Sequence, residues 1–333
     1  MKLAVVIPMY NSAATIADTL EATLAVERDG HDLEIVVVDD GSTDASRSVA
    51  ARYPVTVIPQ ANTGPAGARN TGWRRSGGEI IFFTDADCRP GADWIVRMLP
   101  PFARDRVGAV AGSYSIANPG RALARLIQAE IRHRHRVMGE YVKAGGSYNL
   151  AVRRSVLEQV GGFDAAYPTA SGEDNDLSYR IQKAGYRIAF NPDSRVAHVH
   201  PERFWKYLRA QFVHGYWRGL LYRRHPQFIT GDDYTRPRDI LGSFLATAFL
   251  GLCPLVPFAP GLMVWPLVAL LAALAGMEGL CALEIAVRNR DWILFPLGTL
   301  TFSVRSFFRV TGWFRGLLTA AARREAVGAG VRR

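Results

Sequence analysis

Short apolar runs alternate with helically spaced apolar residues along the first part of the chain. Leu3–Ile7 is a β-branched run that stops at Pro8. It is too short for a signal peptide and reads as a first buried strand. From Ser12 to Val26 the spacing turns helical, with Ile16, Leu20 and Leu24 on one stripe. Leu33–Val38 is a second apolar run, ending in Asp39-Asp40-Gly41-Ser42. A helix over Asp44–Arg52 follows, with Ser42 and Asp44 as candidate caps. Val55–Ile58 reads as a strand, Ala66–Arg75 as a helix, and Glu79–Thr84 as a fourth strand ending at Asp85. Strands alternating with helices predict an α/β fold of parallel βαβ units. Ligands in such sheets sit beyond the carboxyl ends of the strands. Asp39-Asp40 and Asp85-Ala86-Asp87 stand at those ends.

The last hundred residues follow another pattern. From Ile240 to Met277 there is no Asp, Glu, Lys, Arg or His. As one helix this stretch would be about 57 Å long, nearly twice the roughly 30 Å hydrocarbon core of a bilayer. Pro254, Pro257 and Pro260 interrupt it near the middle. The pattern predicts a two-pass hairpin over 240–283, with crossings near Ile240–Pro257 and Gly261–Leu283. The flanks are basic: Arg203–Arg238 holds eight Lys/Arg against two Asp. Positive flanks on both sides place both ends of the hairpin in the cytoplasm. Residues 201–239 and 284–333 mix arginine with aromatics, as in Phe204–Leu221 and around Arg305, Arg309 and Arg315, and read as interfacial segments. Trp292–Val304 is too short in its uncharged part for a clear third crossing. Glu278, inside the second apolar stretch, would be costly in lipid.

Composition changes this picture little. The net charge of +10 raises nucleic acid, membrane and phosphorylated substrates as partners. Much of it lies beside the apolar stretch, which favours a membrane and argues against a nucleic-acid groove. Three cysteines, Cys88, Cys253 and Cys281, lie far apart without metal-ligand spacing, so neither a disulfide scaffold nor a structural zinc site is expected.

The candidate chemistry is acidic. Asp85-Ala86-Asp87 offers two carboxylates to a hard divalent cation such as Mn²⁺ or Mg²⁺, although alone it also fits a solvated turn. The carboxylates of Asp39-Asp40-Gly41-Ser42-Thr43-Asp44 suit a base N–H or a ribose hydroxyl, or serve as caps. In Glu173-Asp174-Asn175-Asp176, mutual repulsion raises the pKa of one acid, while a helix N-terminus favours the same residues structurally. His198 and His200 follow a predicted strand and are candidates for a metal shell. His133 and His135, in the basic stretch Arg121–Val142, read as a solvated or lipid-facing face.

Five ordered motifs give a family resemblance. Pro8-Met9-Tyr10-Asn11, Val38 to Asp44, Ala68-Arg69-Asn70-Thr71-Gly72, Thr84-Asp85-Ala86-Asp87, and Gly161-Gly162-Phe163-Asp164 with Gly172 to Leu177 together resemble the family 2 inverting glycosyltransferases. The resemblance covers roughly residues 1–225. It implies a GT-A nucleotide-diphospho-sugar transferase fold over 1–200, with the membrane hairpin appended. It implies that Asp40 contacts the nucleobase, with Pro8, Tyr10 and Asn11 lining that pocket. It implies Arg69, Asp85 and Ala86 near the nucleotide, Asp87 and His198 as ligands of Mn²⁺ or Mg²⁺, and Asp174 as general base with Glu173 beside it. The implied donor is a nucleotide-sugar, UDP-linked in the first instance. The implied acceptor is a lipid-linked or membrane-proximal saccharide, met at the cytoplasmic membrane. Ser147-Tyr148-Asn149 departs from the plainer run common in the family. The missing Gln-x-x-Arg-Trp motif speaks against a processive synthase. A sugar nucleotidyltransferase would want a glycine-rich phosphate loop with a basic residue, which Ile7-Pro8-Met9-Tyr10 is not. A non-catalytic scaffold would have no use for Asp85, Asp87 and Asp174.

Overall fold

The computed structural model describes all residues except Pro168, Ala170, Thr230 and Val331–Arg333, with side chains as far as Thr319. The chain divides into two compact units. The first comprises Met1–Asn118 and Arg134–His200; the second comprises Pro119–His133 and Pro201–Arg333.

In the first unit the elements run β1 (Lys2–Met9), α1 (Ile16–Leu24), β2 (Asp32–Asp39), α2 (Ser46–Ala50), β3 (Thr56–Pro59), α3 (Gly64–Arg75) and β4 (Ile80–Phe83). There follow β5 (Cys88–Pro90), α4 (Trp94–Met98), β6 (Val107–Ile116), α5 (Ala122–His135), which crosses the division, β7 (Tyr141–Val142), β8 (Leu150–Arg153), α6 (Arg154–Val160), α7 (Glu173–Lys183) and β9 (Arg187–His198). The four expected strands are β1 to β4, and they pair in parallel in the order β3-β2-β1-β4. The sheet continues β8-β6-β9-β5, with β8 antiparallel to both neighbours and β7 alongside β9.

Strand β1 is apolar at every position from Leu3 to Ile7 because both its faces are covered. Val5 and Ile7 join Ile35, Val37 and Phe82 on one face, while Ala4 and Val6 join Ile81 and Phe83 on the other. Helix α3 packs on that second face so closely that a Cβ on Gly72 would run into Val6 and come within 3.2 Å of Val38 Cγ2. Helix α1 starts at Ile16, the first residue of its apolar stripe and four residues after Ser12, because Ser12 to Thr15 form a turn closed by Thr15 N–H to the Ser12 carbonyl. Of the two candidate caps for α2, Asp44 accepts from the Ser46 N–H at 2.9 Å; Ser42 instead accepts from Asn11.

The second unit is helical, with α8 (Phe204–Arg224), α9 (Pro237–Leu252), α10 (Pro260–Asn289) and α11 (Leu294–Gly330). Pro237–Leu255 and Pro260–Asn289 are long and apolar enough to cross a membrane, with mean hydropathies of 1.3 and 1.9. Phe244, Leu262 and Trp265 are exposed along them. Trp292–Val304 lies largely in the first turns of α11. Helices α8 and α11 lie backbone against backbone. A Cβ on Gly215 would meet the Arg309 carbonyl, and one on Gly312 would meet the Phe212 carbonyl. Two expectations are corrected here. Arg305, read as interfacial, is 2% exposed, because Glu130 binds its guanidinium at 2.7 and 2.8 Å. The cost that Glu278 would carry in lipid is avoided inside the helical unit, where it is buried 3.5 Å from Arg238. The solvated or lipid-facing histidine face is not formed either. His135 is buried with its Nδ1 2.7 Å from Ser113 Oγ, and His133 lies 3.7 Å from Glu284.

Candidate active site

The carboxyl ends of β1 and β2 are laced together. Asn11 takes a positive φ of 48° and donates its N–H to Ser42 Oγ, while its side-chain oxygen accepts from the Thr43 N–H at 2.8 Å. The Ser42 N–H closes back on Asp39 at 3.0 Å. Tyr10 stands beside this turn and is exposed to solvent, at 51%. Asp40 is not. One of its oxygens accepts from the Thr63 N–H at 2.9 Å and from Gln60, and the other from the Gly64 N–H at 2.9 Å. Asp40 is thus held by the backbone at the turn into α3. A carboxylate at the positive end of α3 is favourable there, and Asp40 fixes where that helix begins.

Asp85, Ala86 and Asp87 follow β4. Ala86 is buried and its carbonyl accepts from Thr19 Oγ1 at 3.0 Å, which ties the triplet to α1. Strand β5 begins at Cys88, directly opposite His198 of β9, and this register carries a histidine 111 positions away to the acidic triplet. His198 Nε2 lies 3.5 Å from Asp87 Oδ2. Burial pushes the Asp87 carboxyl up, but the His198 imidazole outweighs it and holds the group below the usual range. On its other edge His198 Nδ1 meets His200 Nδ1 at 3.3 Å. Burial, then His198, lower His200 to about 4, so it is neutral at pH 7 and can share one proton with its neighbour while Nε2 faces Asp87.

Asp87, Cys88 and His198 together offer ligand atoms within 4.8 Å of one another. Burial and the two neighbouring aspartates push the Cys88 thiol well up, so it remains a neutral SH. The donors besides this thiol are a carboxylate and an imidazole, which suit Mn²⁺ or Mg²⁺ better than a thiolate-seeking ion.

The acidic start of α7 is built differently. Gly172 precedes it at φ +93°, and the helix then opens with Glu173, Asp174 and Asp176. Asp176 pairs with Arg180 one turn on, at 2.7 Å, a structural role. Asp174 is half-buried and accepts from the Asn175 N–H at 2.8 Å. Glu173 is 2% exposed and bound at 2.9 Å by Arg69 Nη1; Arg69 Nη2 reaches Asp85 Oδ1 at 2.7 Å. The raised pKa expected within the acidic cluster belongs to Glu173, lifted to about 7 by burial and by the Asp174 carboxylate against the pull of Arg69.

The structure therefore brings together Asp85, Arg69, Glu173 and, next in sequence, Asp174, and separately Asp87 with His198. Sequence reasoning missed Cys88 and the Arg69–Glu173 bond. The first was legible only from the β5–β9 register. The second joins residues 104 positions apart and left no local signal. A cavity of about 490 Å³ against Arg89, Gly91, Arg97, Ser115 and Arg195 includes none of these site residues.

Residues 4–161 match the family model described as glycosyl transferase family 2. The chain is 28% identical over 238 residues to the probable glycosyltransferase YdaM of Bacillus subtilis, covering 64% of this chain and 55% of that protein. It is 30% identical over 218 residues to glycosyltransferase AglE of Haloferax volcanii, covering 63% of this chain and 70% of that protein. The chain thus spans little more than half the length of the Bacillus relative. Among solved structures it is similar to the mannosyltransferase PcManGT from Pyrobaculum calidifontis in complex with GDP-Man and Mn²⁺. That likeness has a TM-score of 0.59 at 22% identity and covers 95% of this chain and 86% of the other.

Proposed function

The chain belongs to glycosyltransferase family 2 and has the GT-A fold, and from that premise we propose a membrane-anchored enzyme that moves a sugar from a nucleotide-sugar to a lipid-linked or membrane-proximal saccharide. The donor is UDP-linked in the first instance, and transfer is by inverting single displacement. The observation that carries this reading is the chain of contacts from Asp85 through Arg69 to Glu173, which ties the acidic strand end to the helix start bearing Asp174.

The residues divide the work as follows. Tyr10 presents a ring for the base to stack on, in a pocket edged by Pro8 and Asn11, while Asp40 holds the α3 end of that pocket in place. Asp87 and His198 would hold Mn²⁺ or Mg²⁺, which supplies positive charge against the diphosphate leaving group. Asp174 takes the proton of the acceptor hydroxyl as its oxygen bonds to the anomeric carbon; the bond from that carbon to the diphosphate breaks, and the nucleoside diphosphate leaves with the electron pair. The two apolar helices support anchoring to the cytoplasmic membrane, with this chemistry on the cytoplasmic side where nucleotide-sugars are made.

The test is release of nucleoside diphosphate by the full chain in detergent from UDP-glucose, UDP-N-acetylglucosamine and GDP-mannose, with Mn²⁺ and a membrane lipid extract as acceptor source. Asp174→Asn should lower kcat by about 10²–10⁴-fold while UDP or GDP still binds. Full transfer in that variant would sink the base assignment. Chelation of divalent cations should abolish turnover and re-addition of Mn²⁺ restore it; turnover that survives chelation removes the roles of Asp87 and His198.

A further inference from the structure

Arg69 sits on α3 with 2% of its side chain exposed and both Nη groups bound to carboxylates. Nη2 holds Asp85, 16 positions away, and Nη1 holds Glu173, 104 positions away. The guanidinium also lies 5.4 Å from the centre of the Phe163 ring. Its neighbour Asn70 clamps the same segment from the other side, donating to the Phe163 carbonyl at 2.7 Å and accepting the Phe163 N–H at 2.9 Å. The start of α3 is itself pinned by Asp40. One helix therefore fixes the β2 end, the β4 end and the beginning of α7.

We infer that Arg69 is a positioning residue that sets the placement of Asp174 relative to the donor-side Asp85, and that it does not contact the nucleotide. A diphosphate could reach a guanidinium this buried only by displacing Asp85 or Glu173. What Arg69 does instead follows from its planar fork, which can hold two carboxylates in fixed directions where an ammonium cannot. It occupies one oxygen of Asp85 and leaves the other to a ligand. It immobilises Glu173, and with it the first turn of α7, on which Asp174 is the next residue. The inference rests on the reading of Asp174 as base, and the experiment separates the two.

Arg69→Lys, Glu173→Ala and the double variant would be made in the full chain and measured for kcat with the best donor of the three-sugar panel, and for binding of UDP and GDP in the presence of Mn²⁺. Misplacing a base by about 1 Å costs on the order of 10²-fold, so each single variant should lose roughly that much in kcat. Nucleotide affinity should stay within about threefold, and the double variant should be no slower than the worse single one, since both break the same strut. Nucleotide affinity falling in step with kcat would make Arg69 a donor contact and overturn the inference, as would losses that multiply in the double variant. If Arg69→Lys fails to fold, Glu173→Ala carries the test from the other end of the strut. Asp174→Asn run alongside keeps the readings apart. Full transfer there removes the base, whereas lost transfer there with wild-type kcat in Arg69→Lys removes only the strut.

Discussion

Two arginines in this protein are equally buried, at 2% exposure, and equally paired with carboxylates, yet their surroundings differ. Arg69 in the sheet unit bridges Asp85, whose side chain is 34% exposed, to Glu173, which abuts Asp174. Arg305 in the helical unit is bound by Glu130 through both carboxylate oxygens, donates to the Tyr207 hydroxyl at 3.2 Å, and stacks 4.5 Å over Phe302. Around it Asp239 receives Arg309 at 3.2 Å and Arg238 faces both Glu130 and Glu278. Among the described residues the second network sets three acids and three arginines against one another inside the helical unit. The first opens at one end onto groups that chemistry can use. Burying charge is expensive in either place. In the helical unit the arrangement joins α5, α8, α9 and α11; in the sheet unit it ties the end of β4 to the start of α7, where the proposed reaction would take place.

The sharpest way to break that comparison is Arg305→Met. Removing one partner of a buried ion pair leaves the other uncompensated, at a cost of about 3–5 kcal/mol. Thermal unfolding of the detergent-solubilised chain should shift down accordingly, while UDP binding with Mn²⁺, measured below the transition, should not change. A variant that unfolds like the wild type would show Glu130 satisfied by Arg238 alone, and one that loses nucleotide binding would show the two networks to be linked.

What the sequence could say about these regions follows from the range of each interaction. β1 to β4 were legible because each strand is a local run buried on both faces, and Asp85-Ala86-Asp87 was legible because a strand end is a local event. The two apolar helices announced themselves by length and charge. Asp87 and His198 were matched through a family pattern; the β5–β9 pairing that brings them together is a fact of register. The contacts of Arg69 and Arg305 span 104 and 175 positions, and nothing in the local spacing of either arginine marks it as buried. Its neighbours Phe307 and Phe308 make Arg305 look interfacial, whereas the helix turns it inward. The base contact of Asp40 is an implication of the family resemblance. The approach of α3, which brings the Thr63 and Gly64 N–H groups onto its two oxygens, leaves no such local or family signal.

The smaller and subtler test concerns pH. A free glutamate has a pKa near 4.5, and in the fold Glu173 is raised to about 7, first by burial and then by the Asp174 carboxylate, against the opposing effect of Arg69. A raised acid favours the folded state fully while both states are protonated, below about pH 4.5. As pH rises the unfolded chain ionises first, and that contribution is lost progressively until about pH 7. At about 1.4 kcal/mol per unit, the loss is on the order of 3 kcal/mol. Glu173→Gln has no proton to exchange, so its unfolding free energy should stay flatter than that of the wild type between pH 4.5 and 7.5, by about that amount. Chemical denaturation of both proteins across this range measures the difference directly. Parallel curves would mean that Arg69 keeps Glu173 ionised throughout; the strut would then be as fully charge-paired as the Arg305 network, and only the exposure of Asp85 would still tell the two apart.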